Sequence, residues 1–217
     1  MTTCLLCGTY LRVMPTFSDI FFSRYPHQKL CDTCFANFEV ITEPCCQTCY
    51  KPDITGICLD CQNQAHTTLH RAIFHYNEAA KTFFKRYKFQ GDFRLRGAFD
   101  QVLRDALKHA HIIPIPVSVK RLNIRGFNQV TGFLTSAELT YLDVLGKQET
   151  EHQSHKTRQE RLSSNNPFYL TSPLQLPDKV IIFDDIYTTG TTLQHAREVI
   201  EKAGATRRSE ERRVGKE

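Results

Sequence analysis

The chain has 217 residues, of which 41% are apolar and 24% charged, and its formal charge is +5. That length suits one real core with a small appended module, and no apolar run approaches the roughly 18 residues of a membrane span. The mildly basic balance permits nucleic-acid binding without demanding it, and MTTCLLCGTY at the N-terminus lacks the basic-then-apolar pattern of a signal peptide.

The first 61 residues hold all nine cysteines. Eight form CxxC pairs: Cys4/Cys7, Cys31/Cys34, Cys46/Cys49 and Cys58/Cys61, with Cys45 left over. A disulfide framework would suit a small secreted domain, and nothing here points to secretion. In a cytosolic chain the pattern reads as metal-binding; redox-active or free thiols are the competing reading. Zinc favours four thiolates in a tetrahedron, and CxxC offers two from one tight turn. Eight ligands suffice for two Cys4 sites. The simplest pairing is sequential, with Cys4, Cys7, Cys31 and Cys34 in one site and Cys46, Cys49, Cys58 and Cys61 in the other. Spacing alone leaves an interleaved pairing open. Both sites would be closed, so zinc would be structural. Residues 1–64 carry too little ordered apolar pattern for a core of their own, and metal is expected to hold them together. The nine histidines show no ligand spacing.

Residues 65–206 read as a second unit of alternating strand and helix. A strand is expected at 71–76, with Asn77 as the N-cap of a helix over 78–89 that Gly91 ends. A second helix is expected at 94–107. Residues 112–116, IIPIP, read as a buried strand feeding a loop. Val130, Phe133, Leu134, Ala137 and Leu142 have helical spacing within 129–145. The polar stretch 147–167 reads as an exposed, mobile loop. Residues 177–183 form a buried strand, and 193–202 an amphipathic segment. This order predicts an α/β fold, a mostly parallel sheet with helices on both faces. Gly204, Ala205 and Thr206 read as a turn that should launch another strand. The charged run 207–217, RRSEERRVGKE, is instead expected as a solvated tail or a foreign or truncated end.

The chemistry concentrates in residues 180–192, VIIFDDIYTTGTT. Asp184 and Asp185 stand at the end of a buried strand, where ligands bind in open α/β sheets. Thr188, Thr189, Gly190, Thr191 and Thr192 follow, where a helix begins. A helix N-terminus favours phosphate through its dipole and unpaired N–H groups, and Gly190 permits close backbone approach. Two carboxylates can accept hydrogen bonds from ribose hydroxyls and can organise a magnesium shell. The plainer reading is a capped strand followed by a helix start.

The segment resembles the phosphoribosyl diphosphate (PRPP) motif of type I phosphoribosyltransferases. That resemblance implies acidic residues on the ribose hydroxyls, the Thr-rich loop on the 5′-phosphate, and magnesium with PRPP. Residues 115–121, IPVSVKR, resemble the loop that faces the diphosphate, with Lys120 and Arg121 to neutralise it. Arg125, Gly126, Phe127, Asn128 and Gln129 follow, then Gln153, Arg158, Arg161, Asn165 and Phe168. RGFNQ and Arg161 are assigned to a flexible loop. With the Cys-rich head, this pattern is similar to the ComF family of competence-associated proteins, over residues 1 to about 206. The resemblance implies a type I phosphoribosyltransferase-like sheet behind a double zinc ribbon. It also implies uptake of transforming single-stranded DNA, a ComFA-like helicase as partner, and a place in the cytoplasm or beside uptake machinery at the membrane's inner face. Relatives of this family continue from the GAT turn into a final strand, which this chain is not expected to do.

Residues 81–96, KTFFKRYKFQGDFRLR, interleave cations and rings. Single-stranded nucleic acid binds where cations track phosphates and rings stack bases, so Lys81, Lys85, Lys88 and Arg125 are candidate contacts. The plainer reading, preferred for the rings, puts Phe83, Phe84 and Tyr87 in the core and leaves the lysines as a solvated stripe. Three functions fit the chain: a competence factor binding DNA and PRPP, an active phosphoribosyltransferase with an unknown acceptor, and a zinc-ribbon adaptor. No general base for a nucleobase follows the Thr-rich loop.

Overall fold

The computed structural model describes residues 3–11, 17, 21, 29–62, 70–149, 166–172, 175–187, 190–204 and 210–216. Four strands make a parallel sheet: β1 (His70–His75), β2 (Ile112–Pro114), β5 (Ile181–Tyr187) and β6 (Glu210–Lys216), in the order β1-β6-β5-β2. A separate antiparallel pair joins β3 (Leu145–Lys147) to β4 (Phe168–Leu170). Helices among the described residues include α1 (Asp32–Ala36), α2 (Leu59–Gln62), α3 (Glu78–Phe89), α4 (Asp100–Leu107), α5 (Val119–Arg125), α6 (Gln129–Ser136) and α7 (Thr191–Lys202). A 3₁₀ turn spans Phe93–Gly97. This is the expected α/β class with a helix-flanked parallel sheet.

Successive residues of a strand face opposite sides, and β5 separates two apolar layers accordingly. Phe183 joins the layer holding Phe74, Phe83, Tyr87, Phe99, Phe133 and Val214. Ile182 joins Ile113, Leu145, Phe168, Leu193 and Ile200 on the other side. The first layer is aromatic. Phe38 meets Phe99 edge-to-face at 5.0 Å and Phe83 at 5.7 Å, arrangements worth about 0.5–1.5 kcal/mol each beyond burial. Phe38, Leu30 and Cys4 lie N-terminal to residue 65, yet they belong to this core. Backbone bonds from Ile41 N–H to the Ile73 carbonyl and from His75 N–H to the Glu39 carbonyl run the head along the free edge of β1. The head therefore shares the core.

Helix α3 matches its expected bounds. The Asn77 side chain accepts from Ala80 N–H at 3.0 Å, and Ala80, Phe83, Phe84 and Tyr87 are buried. Gly91 takes a φ of 70° just beyond the end, a left-handed conformation that glycine adopts without strain. The core reading of the three rings is thus the correct one.

Three expectations change. The helix expected at 94–107 is two pieces. Gly97 packs against Ser136 Oγ and Lys29 Cγ, where an added Cβ would lie 3.2 and 3.3 Å away. Phe99 leaves helical geometry at φ −118° and ψ 18°, and its ring is buried in the core. The helix expected over 129–145 stops at Ser136. Tyr141 then bridges Ile112 in parallel, and Leu142 N–H donates to the Ile112 carbonyl. Leu142 kept helical spacing by coincidence of period. Within α6, Gly132 is required, because a Cβ there would lie 2.5 Å from the hydroxyl of buried Tyr87.

The third change concerns the charged end. Residues Glu210–Lys216 form β6, paired on one side with β1 and on the other with β5. The expected tail is a central strand. Strand pairing uses backbone N–H and C=O groups, which a charged sequence also carries, and Val214 sits in the aromatic core.

Candidate functional site

Two groups of four thiols form in the N-terminal head. One is Cys4, Cys7, Cys31 and Cys34; the other is Cys46, Cys49, Cys58 and Cys61. Within each, all Sγ atoms lie within 4.8 Å of one another. Cys7 and Cys31 are 3.7 Å apart, as are Cys49 and Cys58. Zn–S bonds of about 2.3 Å give a tetrahedron edge of roughly 3.8 Å, so the donor set fits zinc. Backbone amides steady the sulfurs: Cys34 N–H donates to Cys31 Sγ, and Cys58 N–H to Cys46 Sγ. The Thr9 hydroxyl and amide hold Cys7 down to about 6, whereas burial and then neighbouring thiols push Cys34 up. Four crowded thiols cannot all ionise without a cation, and zinc would supply it. The grouping is the sequential one. Cys45 belongs to neither group.

Asp184 and Asp185 lie inside β5, not beyond its end, because the strand runs on to Tyr187. They are 8% and 5% exposed. Each accepts from the next backbone amide, Asp185 N–H to Asp184 Oδ1 and Ile186 N–H to Asp185 Oδ1, both at 2.8 Å. Burial and then the charge of Asp185 raise Asp184 to about 7. Burial opposes ionisation of Asp185 as well, but Lys88 outweighs it and holds that carboxyl below the usual range. Lys88 Nζ stands 2.5 Å from Asp185 Oδ2, with both side chains largely buried.

The pair opens onto a cavity of about 830 Å³. Its cations among the described residues are Lys88, Arg121, Arg125 and Lys147. Thr192 enters from the first turn of α7, whose N-cap is Gly190 at φ 79°. Thr191 starts the same turn, while Thr188 and Thr189 lie outside the described residues. Phe89, Ile115 and Ile124 supply apolar wall.

The remaining candidates divide. Arg121 lines the cavity; Lys120 is exposed and does not, and its N–H donates to Glu149 Oε1. Arg125 and Gln129 line the cavity and hydrogen-bond each other, and Arg125 Nε also donates to the Lys88 carbonyl at 3.1 Å. The rest of RGFNQ builds the corner between α5 and α6. Gly126 ends α5 at φ 80°. Phe127 packs on Tyr87 and Phe93. Asn128 caps α6 through Val130 N–H. Gln153, Arg158, Arg161 and Asn165 lie outside the described residues. Lys81 and Lys85 are exposed, and Lys81 pairs with Glu78 at 3.2 Å. Lys88 turns inward instead, separating from the lysine stripe to which it was assigned.

Sequence reasoning missed Lys147. It ends β3, its ammonium rests 5.0 Å from the Phe168 ring, and burial lowers its pKa while Asp184 raises it. The apolar pair Val144-Leu145 just before it was the only signal of a strand there.

Fold and cavity define an α/β protein with a cation-rimmed, acid-floored cavity behind a pair of Cys4 clusters. No protein-family model matches the chain. Competence protein ComFC of Streptococcus pneumoniae (strain ATCC BAA-255 / R6) is 42% identical over 208 residues, covering 93% of this chain and 94% of that protein. Competence protein ComFC of Bacillus subtilis (strain 168) is 30% identical over 217 residues, covering 93% and 90%. The chain therefore belongs to the ComFC family of competence proteins. No helix among the described residues is long and apolar enough to cross a membrane.

Proposed function

We propose that this protein binds PRPP or a related ribose 5-phosphate ligand through a type I phosphoribosyltransferase-like fold, and that it handles incoming single-stranded DNA during competence, with a ComFA-like helicase as partner. The observation that carries the ligand reading is the pairing of Asp184 and Asp185 with the N-terminus of α7 across one cavity. Ribose hydroxyls donate to the carboxylates. The 5′-phosphate accepts from the first amides of α7, where the dipole favours an anion. Arg121 and Lys147 face the diphosphate. The DNA part rests on family membership and on the exposed Lys81 and Lys85.

Calorimetry with PRPP tests the ligand. Saturable heat is expected, weakened at least about tenfold in Arg121→Ala by loss of a charge-assisted hydrogen bond. Ionised Asp184 is the stronger acceptor for a ribose hydroxyl, so affinity should fall as pH drops below about 7. Absence of heat at every pH would sink the reading. A salt titration of single-stranded DNA tests the other half. Converting Lys81 and Lys85 to alanine should flatten the slope of log affinity against log salt by about 1.4. An unchanged slope would remove these lysines from the DNA surface.

One observation favours the alternative, an active phosphoribosyltransferase. A carboxyl held at about 7 can take or give a proton near neutral pH. Cleavage of PRPP by the native protein, with a pH profile that breaks near 7, would favour turnover.

A further inference from the structure

We infer that Lys88 is a fixed counter-ion for the acidic pair, standing where a divalent cation would otherwise sit, so that ribose-phosphate binding at Asp185 needs no metal. The inference rests on the ribose-phosphate reading and names how that site is charged. The magnesium expected from the sequence does not fit at this carboxylate. Magnesium demands near-octahedral oxygen ligands at about 2.0–2.1 Å. Asp185 Oδ2 already has the Lys88 ammonium at 2.5 Å, and Oδ1 accepts from Ile186 N–H. Asp184 Oδ1 accepts from Asp185 N–H, and the lone pairs left on the two carboxylates can take a hydroxyl proton but not a dication beside the ammonium.

Lys88 is held rather than free to swing away. It lies in the last turn of α3, with its ammonium 5.0 Å from the Phe84 ring centroid. Its own carbonyl accepts from Arg125 Nε. Two residues earlier, Arg86 anchors the same turn to Asp92 at 2.9 Å and reaches the carbonyls of Leu5 and Leu6 in the first cysteine knuckle. The field points the same way. Among the described residues, four cations line the cavity against two carboxylates, and a further dication would be repelled by Arg121, Arg125 and Lys147. A phosphorylated sugar suits that surplus: its anionic groups meet the cations, and its neutral hydroxyls meet the carboxylates.

The test uses zinc-loaded full-length protein in buffer stripped of other divalent ions. Ribose 5-phosphate is the probe, because it lacks the diphosphate that would itself bind magnesium. Calorimetry of the native protein should give affinities with and without magnesium that agree within about twofold. Lys88→Met keeps the chain length and removes the charge; its affinity should depend on magnesium by at least about tenfold, the scale of one charge-assisted contact. Binding of ribose 5-phosphate to the native protein only with magnesium would overturn the inference and leave the ligand reading standing. No binding under either condition would overturn the ligand reading. The counter-ion itself is then decided by titrating manganese alone, followed by its paramagnetic signal. The native protein should show no manganese site that depends on Asp185, and Lys88→Met should gain one that Lys88→Met/Asp185→Asn loses. A manganese site already present in the native protein and absent in Asp185→Asn would overturn the proposal without any Lys88 variant.

Discussion

Cys4→Ser should destabilise the whole molecule, whereas Cys46→Ser should damage only its own small cysteine cluster. Each removes one ligand from a four-thiol group, and zinc counted by elemental analysis should fall from about two ions per chain to about one in both. Their stability effects should differ because their surroundings differ. Cys4 packs in the main core with Leu30, Phe38 and Phe74. Its knuckle carbonyls also receive Arg86 from α3. Cys46 belongs to a small cluster with Cys49 and Cys58, flanked by Ile54 and Cys61. Structural zinc contributes on the order of 10 kcal/mol to small zinc modules. Even if only about 4 kcal/mol of that passes into the shared core, the midpoint should drop by about 10 °C, since chains of this size lose ~2–4 °C per kcal/mol. Circular dichroism melts should therefore show an early global transition for Cys4→Ser. Cys46→Ser should keep its main transition near the native value. Equal melts for the two variants would contradict the shared core.

Asp184→Asn and Asp185→Asn should abolish ligand binding alike and move stability in opposite directions. Asp185 is the partner of Lys88 in a largely buried pair. Removing one member of such a pair leaves an uncompensated charge, which costs about 3–5 kcal/mol. Lys88 holds the carboxyl of Asp185 below its ordinary value. Its stabilising share is therefore present above the unfolded-state value of 3.8 and is lost as pH falls through the lower folded value. Asp184 is raised to about 7 by burial and by Asp185. The folded state binds that proton more tightly than the unfolded state does. Between about pH 4 and pH 7 its contribution therefore turns unfavourable, and it stays so above pH 7. At pH 8, Asp184→Asn should melt above the native protein and Asp185→Asn well below it. The Asp184→Asn gain should vanish toward pH 4. A fall in stability for both variants at pH 8 would mean that Asp184 is ionised without strain.

These two carboxylates are adjacent in the chain, and local pattern gives them one description: an acidic pair where a buried run meets a Thr-rich turn. Other features were equally local. Asn77 capping α3 and the core face at Phe83, Phe84 and Tyr87 follow from i to i+4 geometry. The paired cysteines follow from the two thiolates that one tight turn can present. RGFNQ stood out as a block assigned to a flexible loop; the structure spreads it over the end of α5 and the start of α6, where Arg125 and Gln129 line the cavity. Gly126, Phe127 and Asn128 serve the corner that presents them.

The sequence by itself determined the inventory: two sets of thiols, an acidic pair before a helix, and alternating strand and helix around an aromatic layer. Short-range rules suffice there, because caps, knuckles and amphipathic faces are built within a turn or two. Only the tertiary structure decided the assignments that depend on distant partners. It grouped the knuckles sequentially, broke the helix at Gly97 and Phe99, and ended α6 at Ser136. It drew Glu210–Lys216 into the sheet between β1 and β5. The sequence at 204–206 announced a strand, but the charged run after it lacks the apolar pattern of a buried one, and its pairing rests on backbone groups that any sequence carries. The tertiary structure also turned Lys88 and Lys147 from apparent surface charges into walls of the cation-rimmed cavity. Which cation meets which carboxylate depends on how α3 and β3 pack against β5, and Coulomb attraction acts through space rather than along the chain.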